Sequence, residues 1–447
     1  MNVAALPLLE LALLLPWVGA ATVAFVRNPP AAARFSLAFL ILLLTAAGAI
    51  ALSLGATGGI RNRTFAIDEV SAPMLPVLVL LHLLTLLGTS KARVTPALCI
   101  RILLSVFVGL AVVTCQDPWL LIAILALATL LPFWELRSLG KPFRVFALYM
   151  SAFVVFLGIG QFLVGTGNPA LGFGLIILAL GIRGGIVPLH GWVPRLFQNA
   201  TYGSAMLFVL PLMEVAGAIR LLLPGAPAAS LNAASIACLV TAIYGGGMAI
   251  VQNDVRRFYA NLCLSQTSLV LYGVMTHTVN GLTAALCLWV SASLSLAALA
   301  FSIRAIEARF GRLSLDRHHG HYEQVPGLAV SFLFTGLACV GFPGTVGFLP
   351  MELLFAGSID HGLWVSFTLA IAAMLNGIAI LRAYFALFTG RRPSMSVSLP
   401  ITRIERVGVV IIALIVFAGA WLPPSIVASR HRVAESLLGV TPSPGDH

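Results

Sequence analysis

Charged side chains are scarce in this sequence: Asp, Glu, Lys and Arg together make up 9% of its 447 residues. A soluble globular chain carries about 25% of such residues, so that class of protein is excluded. Hydrophobic residues reach 60% of the chain, and the mean hydropathy is +1.02. The composition therefore predicts an all-α polytopic membrane protein.

The sequence also lacks the patterns of most catalytic and binding sites. Its six cysteines stand singly, without a CxxC or Cys/His spacing, so zinc, iron–sulfur and disulfide frameworks are unsupported. No nucleophile with its base, phosphate-binding loop or nucleotide fingerprint is present. We therefore expect no catalytic site, no metal and no cofactor in this chain. The isolated cysteines are expected to be buried as small hydrophobic side chains.

The net charge of +11 does not indicate nucleic-acid binding. The basic residues form no stripe, and no stacking aromatics accompany them. They fall instead in short loops between apolar runs, where Lys and Arg mark the cytoplasmic side of a membrane protein.

About fourteen apolar runs are candidates for spanning helices, which need roughly 20 residues each. They are Leu6–Phe25, Phe35–Leu54, Pro73–Leu87, Ile102–Cys115, Pro118–Trp134, Val145–Val164, Leu171–Val187, Tyr202–Leu223, Leu231–Val251, Leu262–Met275, Thr283–Ile303, Val325–Leu349, Leu363–Leu387 and Val407–Leu422. Basic residues concentrate in the odd-numbered loops, which are therefore predicted to be cytoplasmic. Both ends of the sequence then lie on the periplasmic, or outer, side of a bacterial inner membrane.

The chain is organised around residues 178–223, where two apolar spans flank a proline-containing hinge. Each span carries a charge where hydrocarbon is expected, Arg183 before the hinge and Glu214 after it. An ionised side chain at mid-bilayer costs several kcal/mol, so such residues usually face a bundle interior and serve transport.

Arg183 and Glu214 are therefore predicted to lie near each other. Arginine keeps its proton at accessible pH, so Arg183 is interpreted as a fixed counter-charge or gate. Burial and a nearby cation shift the pKa of a carboxyl group in opposite directions, which makes Glu214 a candidate proton carrier. A purely structural ion pair is the alternative for both residues.

Three places combine helix breakers with polar groups, a combination that membranes tolerate where the backbone lines a cavity. The breakers are Pro188 and Pro194 in the hinge, the glycine triplet at 245–247, and Gly341, Pro343 and Gly344 in the twelfth span. The last group is predicted to break its span about halfway. Broken helices in both halves of a bundle are typical of ion-conducting transporters, although a single kink can also serve packing alone.

Five further residues are candidates for the same pathway or its walls. His190 titrates near neutral pH and suits a proton relay, or else it hydrogen-bonds the hinge backbone. Glu352 directly follows the third group of breakers, and Glu135 ends the fifth span as an expected interfacial carboxylate. Ser265 and Gln266 are expected to hydrogen-bond between helices or to hold water.

Two other polar features are interpreted without a role in transport. Arg220, near a helix end, is predicted to extend its charged head to the membrane interface. His318, His319 and His321 lie in the longest cytoplasmic loop. A metal site there would need a carboxylate or cysteine at a matched spacing, so a solvated loop is favoured.

The hinge sequence VPLHGWVP resembles the PxHxWLP signature of the antiporter-like membrane subunits of respiratory complex I, membrane-bound hydrogenases and Mrp-type cation/proton antiporters. Further stretches are similar to that family in the same order: AIVQNDVRR at 249–257 with SQ at 265–266, GFPGT at 341–345 with GF at 347–348, and RAYF at 382–385. The resemblance covers about 118–388. It implies fourteen helices with two inverted five-helix repeats, each containing a broken helix.

The same resemblance implies three regions: N-terminal transmembrane helices at 1–115, a translocation core at 116–388, and a C-terminal helix and tail at 389–447. It also shows a departure, because the family's proton wire of acids and lysines is not reproduced. The wire's positions fall, in chain order, on Leu127, Arg183, Glu214, a residue near Ala292, and Met351. Glu135 and Glu352 lie outside that set.

Three functions are compatible with this divergent charge set. The first is a proton- or cation-translocating subunit of a complex I-like or hydrogenase-like complex, such as an NADH-quinone-oxidoreductase-like translocase, with redox subunits as partners. The second is the proton-conducting membrane subunit of a DAB-type inorganic-carbon accumulation complex, with a cytoplasmic zinc carbonic-anhydrase-like partner. The third is a degenerate structural anchor subunit.

Overall fold

The computed structural model of the chain describes residues 6–57, 60–61, 64–89, 94–390, 408–410, 413–414, 416–417 and 424–439. The fourteenth predicted span lies largely outside the described residues, and the tail at 441–447 lies entirely outside them. The described chain forms two units. The first comprises Met1–Arg183, Asn199–Ser230 and Glu435–His447, and the second comprises Gly184–Gln198 and Leu231–Ala434.

The described residues are mostly helical, as predicted. The α-helices are α1 (Leu6–Ala24), α2 (Pro29–Thr57), α3 (Met74–Leu87), α4 (Pro96–Thr114), α5 (Pro118–Ser138), α6 (Arg144–Gly165), α7 (Pro169–Gly184), α8 (Trp192–Asn199), α9 (Tyr202–Val209), α10 (Met213–Leu221), α11 (Ala228–Val251), α12 (Val255–Met275), α13 (Val279–Phe310), α14 (Pro326–Val340), α15 (Phe348–Ser358), α16 (Leu363–Phe388) and α17 (Pro424–Leu438). A small antiparallel hairpin, β1 (Ile60–Arg61) and β2 (Ala66–Ile67), precedes α3.

Within the described residues, eight helical segments are long and apolar enough to cross a membrane. Five shorter apolar helices accompany them. All six cysteines are buried, which confirms the expectation that they act as small hydrophobic side chains. The membrane-protein class that the composition predicts is therefore matched by the architecture.

In the first unit, α9 and α10 pack against α3, α4 and α5. Most residues from Tyr202 to Leu221 are buried, so this segment forms the core of the unit. Because the surroundings are apolar, any charge on α9 or α10 must find its partner inside the protein.

In the second unit, α13 forms the core, with α12, α14 and α15 packed around it and α16 against α14. Helix α12 begins at Val255, earlier than the predicted start of the tenth span at Leu262. The Asp254 side chain accounts for this, because it accepts hydrogen bonds from the backbone N–H groups of Arg256 and Arg257, both at 3.0 Å. A capping carboxylate of this kind stabilises a helix start.

Two of the predicted helix interruptions are confirmed. The hinge separates α7 from α8, and a second break separates α14 from α15. Gly341 ends α14 in the left-handed region, with φ of +83°, a conformation that glycine adopts without steric cost. Pro194 is not in the hinge as predicted but in the first turn of α8, where proline is tolerated because those N–H groups have no helical acceptor.

The glycine triplet 245–247, named among the possible helix breakers, does not interrupt its span, since α11 runs through it. These glycines instead allow close helix packing. A Cβ at position 245 would lie 2.8 Å from the backbone nitrogen of Ser265 on α12, and one at position 246 would lie 3.0 Å from the Asn376 side chain. The glycines of this triplet therefore mark close packing between helices and not an interruption of α11.

Candidate functional site

The first unit contains a buried ion pair between Arg183, at the end of α7, and Glu214, in the first turn of α10. The Arg183 Nη1 and Glu214 Oε2 atoms are 3.5 Å apart, and each residue is 1% exposed. The predicted proximity of these two charges is therefore confirmed. Their roles in transport stay a prediction.

An unpredicted helix interruption shapes this site. The eighth span breaks between α9 and α10, where Pro211 has no N–H to donate and Leu212 adopts a left-handed conformation with φ of +46°. The Leu212 N–H bonds the Val209 carbonyl at 3.2 Å rather than the carbonyl of Phe208. The Phe208 oxygen is thereby released from the regular helical ladder.

Arg183 uses that released acceptor. Its Nη2 donates to the Phe208 carbonyl oxygen at 2.7 Å, and its guanidinium carbon lies 3.8 Å from the centre of the Phe208 ring. A cation over an aromatic face is attracted to it, more strongly when water is excluded. The guanidinium is therefore fixed by Phe208 as well as by Glu214.

The Glu214 carboxylate is held less tightly than the Arg183 guanidinium. Among the described residues, Glu214 Oε2 and Arg183 Nη1 have no hydrogen bond of good geometry despite their 3.5 Å separation. The N-terminal end of α10 also favours negative charge on Glu214, by a modest amount. Glu214 can thus gain a proton without breaking a short hydrogen bond to arginine.

Glu135 lies near the end of α5, as the sequence suggested, but it is buried within the protein and only 1% exposed. Its Oε1 accepts from the backbone N–H of Thr201 at 2.9 Å, and its Oε2 accepts from the Ser204 hydroxyl. The Arg101 Nε lies 3.6 Å from the same carboxylate. Glu135 therefore binds the start of α9 and forms a second arginine–glutamate pair in this unit, in which the glutamate is buried and the Arg101 side chain is 28% exposed.

Sequence reasoning missed Arg101, because the fourth span was predicted to begin one residue later, at Ile102. The signal was available: Arg101 stands within the run PALCIRILLSVF, much as Arg183 stands in its own apolar span. His82 on α3 was missed in the same way. It is fully buried and contacts Ser105 on α4.

In the second unit, the hinge histidine has a side-chain partner. His190 Nε2 lies 3.1 Å from the Tyr244 hydroxyl on α11, and the two rings meet edge to face. The hinge backbone is also tied to α11, since the Val187 N–H donates to the Thr241 hydroxyl at 3.0 Å. His190 is thus part of a polar contact between the hinge and α11.

Ser265 and Gln266 are buried on α12, and Ser265 makes an interhelical contact as predicted. The Ser265 hydroxyl donates to the Ala242 carbonyl at 2.8 Å and accepts from the Asn376 amide at 2.8 Å. Asn376 on α16 was not singled out from the sequence, although it is a polar residue in an apolar run. These contacts join α11, α12 and α16.

Glu352 lies on α15 and is exposed, whereas its neighbour Met351 is buried. Among the described residues no ion pair involves Glu352. A pathway role for this carboxylate stays a prediction.

Arg220 does not extend alone to the interface. Its Nη2 lies 2.5 Å from Asp68 Oδ2, and its Nη1 donates to Gln116 at 3.0 Å. Asp68 lies in the loop between β2 and α3, outside the spanning helices. Burial alone would raise the pKa of Asp68, but Arg220 and the hydrogen bonds from Ser71 hold that pKa below its ordinary value of 3.8.

The three histidines of the long loop contact protein groups. His318 Nδ1 lies 3.2 Å from the Phe385 carbonyl, and His319 Nε2 lies 3.0 Å from the Ser314 carbonyl. His321 stacks on Phe310 with ring centres 3.8 Å apart. Within the described part of the chain, no group of three or more His, Cys, Asp or Glu residues is arranged to hold a metal ion.

A family model described as NADH:quinone oxidoreductase/Mrp antiporter, TM, matches residues 107–376, more than half of the chain. The chain belongs to this family. It is a multi-pass membrane protein and an antiporter-like membrane subunit, as the hinge sequence and the interrupted helices had suggested. The matched region includes both buried glutamates and both confirmed interruptions.

Curated relatives of this antiporter-like subunit are subunits of quinone oxidoreductases. It is 27% identical over 330 residues to NAD(P)H-quinone oxidoreductase chain 4 1 of Synechococcus elongatus, covering 67% of this chain and 62% of the relative. It is 25% identical over 272 residues to NADH-quinone oxidoreductase subunit M of Rickettsia bellii, covering 59% and 55%. The chain thus spans between half and two thirds of the length of these relatives.

Solved structures share the fold of this antiporter-like subunit. A chain of respiratory complex I from Thermus thermophilus with bound NADH gives a TM-score of 0.87 at 21% identity, covering 97% of this chain and all of the other. A chain of the Mrp complex from Dietzia sp. DQ12-45-1b gives 0.84 at 18% identity, covering 97% and 98%. The two parent assemblies are multi-subunit complexes.

Proposed function

We propose that this antiporter-like subunit translocates protons, or another cation, within a multi-subunit complex of the complex I or hydrogenase type. The observation that carries the proposal is the buried Arg183–Glu214 pair beside the interruption at Pro211. Buried intramembrane charges next to irregular backbone are the usual site of ion passage in transporters. A structural anchor has no need of such a pair, because an apolar replacement of the same volume is often as stable.

Glu214 carries the proton and Arg183 is its fixed counter-charge. A carboxyl group exchanges protons, whereas a guanidinium keeps its own. Glu135, His190 and Glu352 act as further stations, since each has a side chain that can bind and release a proton. The subunit itself does no redox chemistry, so the driving force comes from its partners.

The proposed setting is the cytoplasmic membrane of a bacterium. The odd-numbered loops, which hold most of the Lys and Arg residues, face the cytoplasm. The first and last residues of the sequence then lie on the outer side. Accessibility of single cysteines placed in Glu69→Cys and Tyr322→Cys variants to a membrane-impermeant thiol reagent tests this orientation, because the proposed topology puts these exposed positions on opposite sides of the membrane.

The partners decide which energy source is used. Purification of the tagged native complex in mild detergent, followed by mass spectrometry, is the direct experiment. Quinone- or iron–sulfur-binding subunits would support the redox-driven proton channel, which the quinone oxidoreductase relatives favour. A cytoplasmic zinc carbonic-anhydrase-like protein would replace it with the inorganic-carbon function.

Proton movement is tested in inverted membrane vesicles that contain the complex. Acidification of the vesicle interior when the complex is energised supports translocation by the complex. Its loss in Glu214→Gln, with the complex still assembled, assigns that translocation to this subunit. An assembled complex whose proton transport is unchanged by that substitution would leave only the anchor role.

A further inference from the structure

The first unit contains a small cavity between α3, α4, α5, α9 and α10. Its volume is about 30 Å³, and a buried water molecule needs roughly 10–15 Å³, so there is room for one or two. The lining is mostly apolar, with Arg101, Ser105 and Ser204 among its few polar side chains. A buried water needs two to four polar partners, and these three residues can supply them.

The orientation of Ser105 follows from His82. The His82 Nδ1 lies 2.7 Å from the Leu78 carbonyl oxygen, which can only accept, so Nδ1 carries the proton. In the neutral ring Nε2 is then an acceptor, and it lies 3.1 Å from the Ser105 hydroxyl. Ser105 therefore donates to His82 and keeps lone pairs for the cavity.

The orientation of Ser204 follows from Glu135. The Ser204 hydroxyl donates to the Glu135 carboxylate, and its oxygen accepts a weak hydrogen bond from Thr201 at 3.3 Å. One lone pair of Ser204 thus remains for the cavity. Both serines consequently present acceptors, and neither presents a hydroxyl hydrogen.

Arg101 supplies the complementary donor. Its Nε is buried and, within the described chain, makes no hydrogen bond, because the Glu135 oxygen at 3.6 Å is too distant. A water molecule here accepts from the Arg101 guanidinium and donates one hydrogen to Ser105 and the other to Ser204. Its three hydrogen bonds match the usual number for a buried water.

We propose that Arg101, Ser105 and Ser204 bind a water molecule that passes protons from Glu135 towards Glu214, with His82 as the residue that positions Ser105. The residues that line the cavity near Arg183 support this direction of proton transfer. It includes Phe208, which contacts Arg183, and Met213, which directly precedes Glu214. The cavity therefore lies between the two arginine–glutamate pairs of this unit.

The transfer balances without any other reactant. When Glu135 is protonated, its O–H donates to the Ser204 oxygen, so the Ser204 hydroxyl turns to the water and the water turns its hydrogen away from Ser204. Glu135 then gives its proton to the Ser204 oxygen while Ser204 gives its hydroxyl proton to the water. The water then releases one proton on the Phe208 side, where Glu214 accepts it, and Glu135 is left as a carboxylate. The transport step rests on the proposed function of Glu214, whereas the water site itself does not.

The water site is tested by infrared spectroscopy of the purified complex. A buried water gives an O–H stretching band that shifts when H₂¹⁸O replaces ordinary water. We expect this band in the native complex and its loss in Ser105→Ala. The matched control is Thr114→Val, because Thr114 is a buried hydroxyl residue on the same helix that donates to the Leu110 carbonyl at 2.8 Å and does not line this cavity.

The band should survive in Thr114→Val. A native complex without such a band, a band that persists in Ser105→Ala, or an equal loss in both variants would overturn the water site. Proton transport by the same preparations gives the second readout. Ser105→Ala should slow transport roughly tenfold, a barrier change of about 1.4 kcal/mol, while Thr114→Val should leave it unchanged.

The positioning role of His82 is tested with two substitutions. Glutamine can still donate to the Leu78 carbonyl and accept from Ser105, but it does not titrate. His82→Gln should therefore retain both the infrared band and the native pH profile of transport, whereas His82→Leu should lose the band and slow transport. Equal loss in the two variants would overturn the positioning role. If the native complex moves no protons, the proposed function fails while the infrared band still decides the water site.

Discussion

Arg183 is bound to the Phe208 carbonyl oxygen at 2.7 Å, a shorter contact than the 3.5 Å that separates it from Glu214. The arginine thus has an anchor that does not depend on the charge of the glutamate. When Glu214 binds a proton, its attraction to arginine weakens, but the guanidinium stays on Phe208. Glu214 is therefore the movable partner of the pair.

Glu214→Gln should abolish proton transport by the assembled complex. The amide fills the same volume but cannot bind and release a proton, so the pathway is interrupted at that residue. Acidification of inverted vesicles, together with the amount of assembled complex, measures the effect. Glu323→Gln serves as control, because Glu323 is an exposed loop carboxylate, and transport by that variant should be native.

Arg183→Leu should destabilise the protein by about 3–5 kcal/mol, because it leaves Glu214 buried without its cation. The double variant Arg183→Leu/Glu214→Leu should be more stable than Arg183→Leu alone, since no unpaired charge remains. Thermal unfolding of the purified complex followed by fluorescence compares the native protein, Arg183→Leu, Glu214→Leu and the double variant. Effects that simply add would mean that the two side chains are not coupled.

Asp68→Asn should reduce stability at neutral pH but make little difference in strong acid. Arg220 and Ser71 hold the folded pKa of Asp68 below 3.8. The stabilisation is therefore fully present above that ordinary value and is lost as pH falls through the lowered folded pKa. Unfolding measured between neutral pH and strong acid should show the native protein and the Asp68→Asn variant converging below about pH 4.

The neighbouring exposed carboxylate provides the control for this titration. Glu69→Gln removes an acid from the same loop but leaves Asp68, Arg220 and Ser71 in place, so its stability should show the same fall in strong acid as that of the native protein. A constant difference between Asp68→Asn and the native protein down to strong acid would contradict the assignment to the Asp68–Arg220 pair.

Gly347→Ala should disturb the break between α14 and α15 more than Gly344→Ala. A Cβ at position 347 would collide with the Ala338 backbone carbonyl, whereas position 344 has open space and only a left-handed φ of +84°. The latter conformation costs an alanine about 1–2 kcal/mol. In thermal unfolding of the complex, Gly347→Ala should have the lowest midpoint temperature. Gly174→Ala, where a Cβ has open space on α7, should unfold close to the native temperature.

Local sequence signals predicted much of this fold. The apolar runs gave the spanning helices because helix length in a membrane is set by hydrocarbon thickness. Pro188 and Gly341 marked true interruptions, since the backbone there departs from the helical conformation. The interruption at Pro211 was overlooked, although proline in a helix interior removes a hydrogen bond.

The candidate site was predicted only in part, because burial of a side chain depends on distant segments. Arg183 and Glu214 stand deep in apolar spans, so their pairing followed from the cost of a lone charge. Glu135 stands at a helix end, where sequence alone favours exposure. Its burial arises because the start of α9, at Thr201, packs over it. The partner of Arg220 lies 152 residues away in the sequence, beyond any local pattern.

Helix α10 carries Glu214 in its first turn and Arg220 in its last. At nine residues it is a stiff rod of about 13 Å, too short to bend appreciably. Arg220 fastens the far end of that rod to Asp68, beside the β1–β2 hairpin. Any tilt of α10 that accompanies protonation of Glu214 must therefore move the Asp68 loop. A spectroscopic label on that loop, outside the bilayer, would then report on the charge of the buried glutamate.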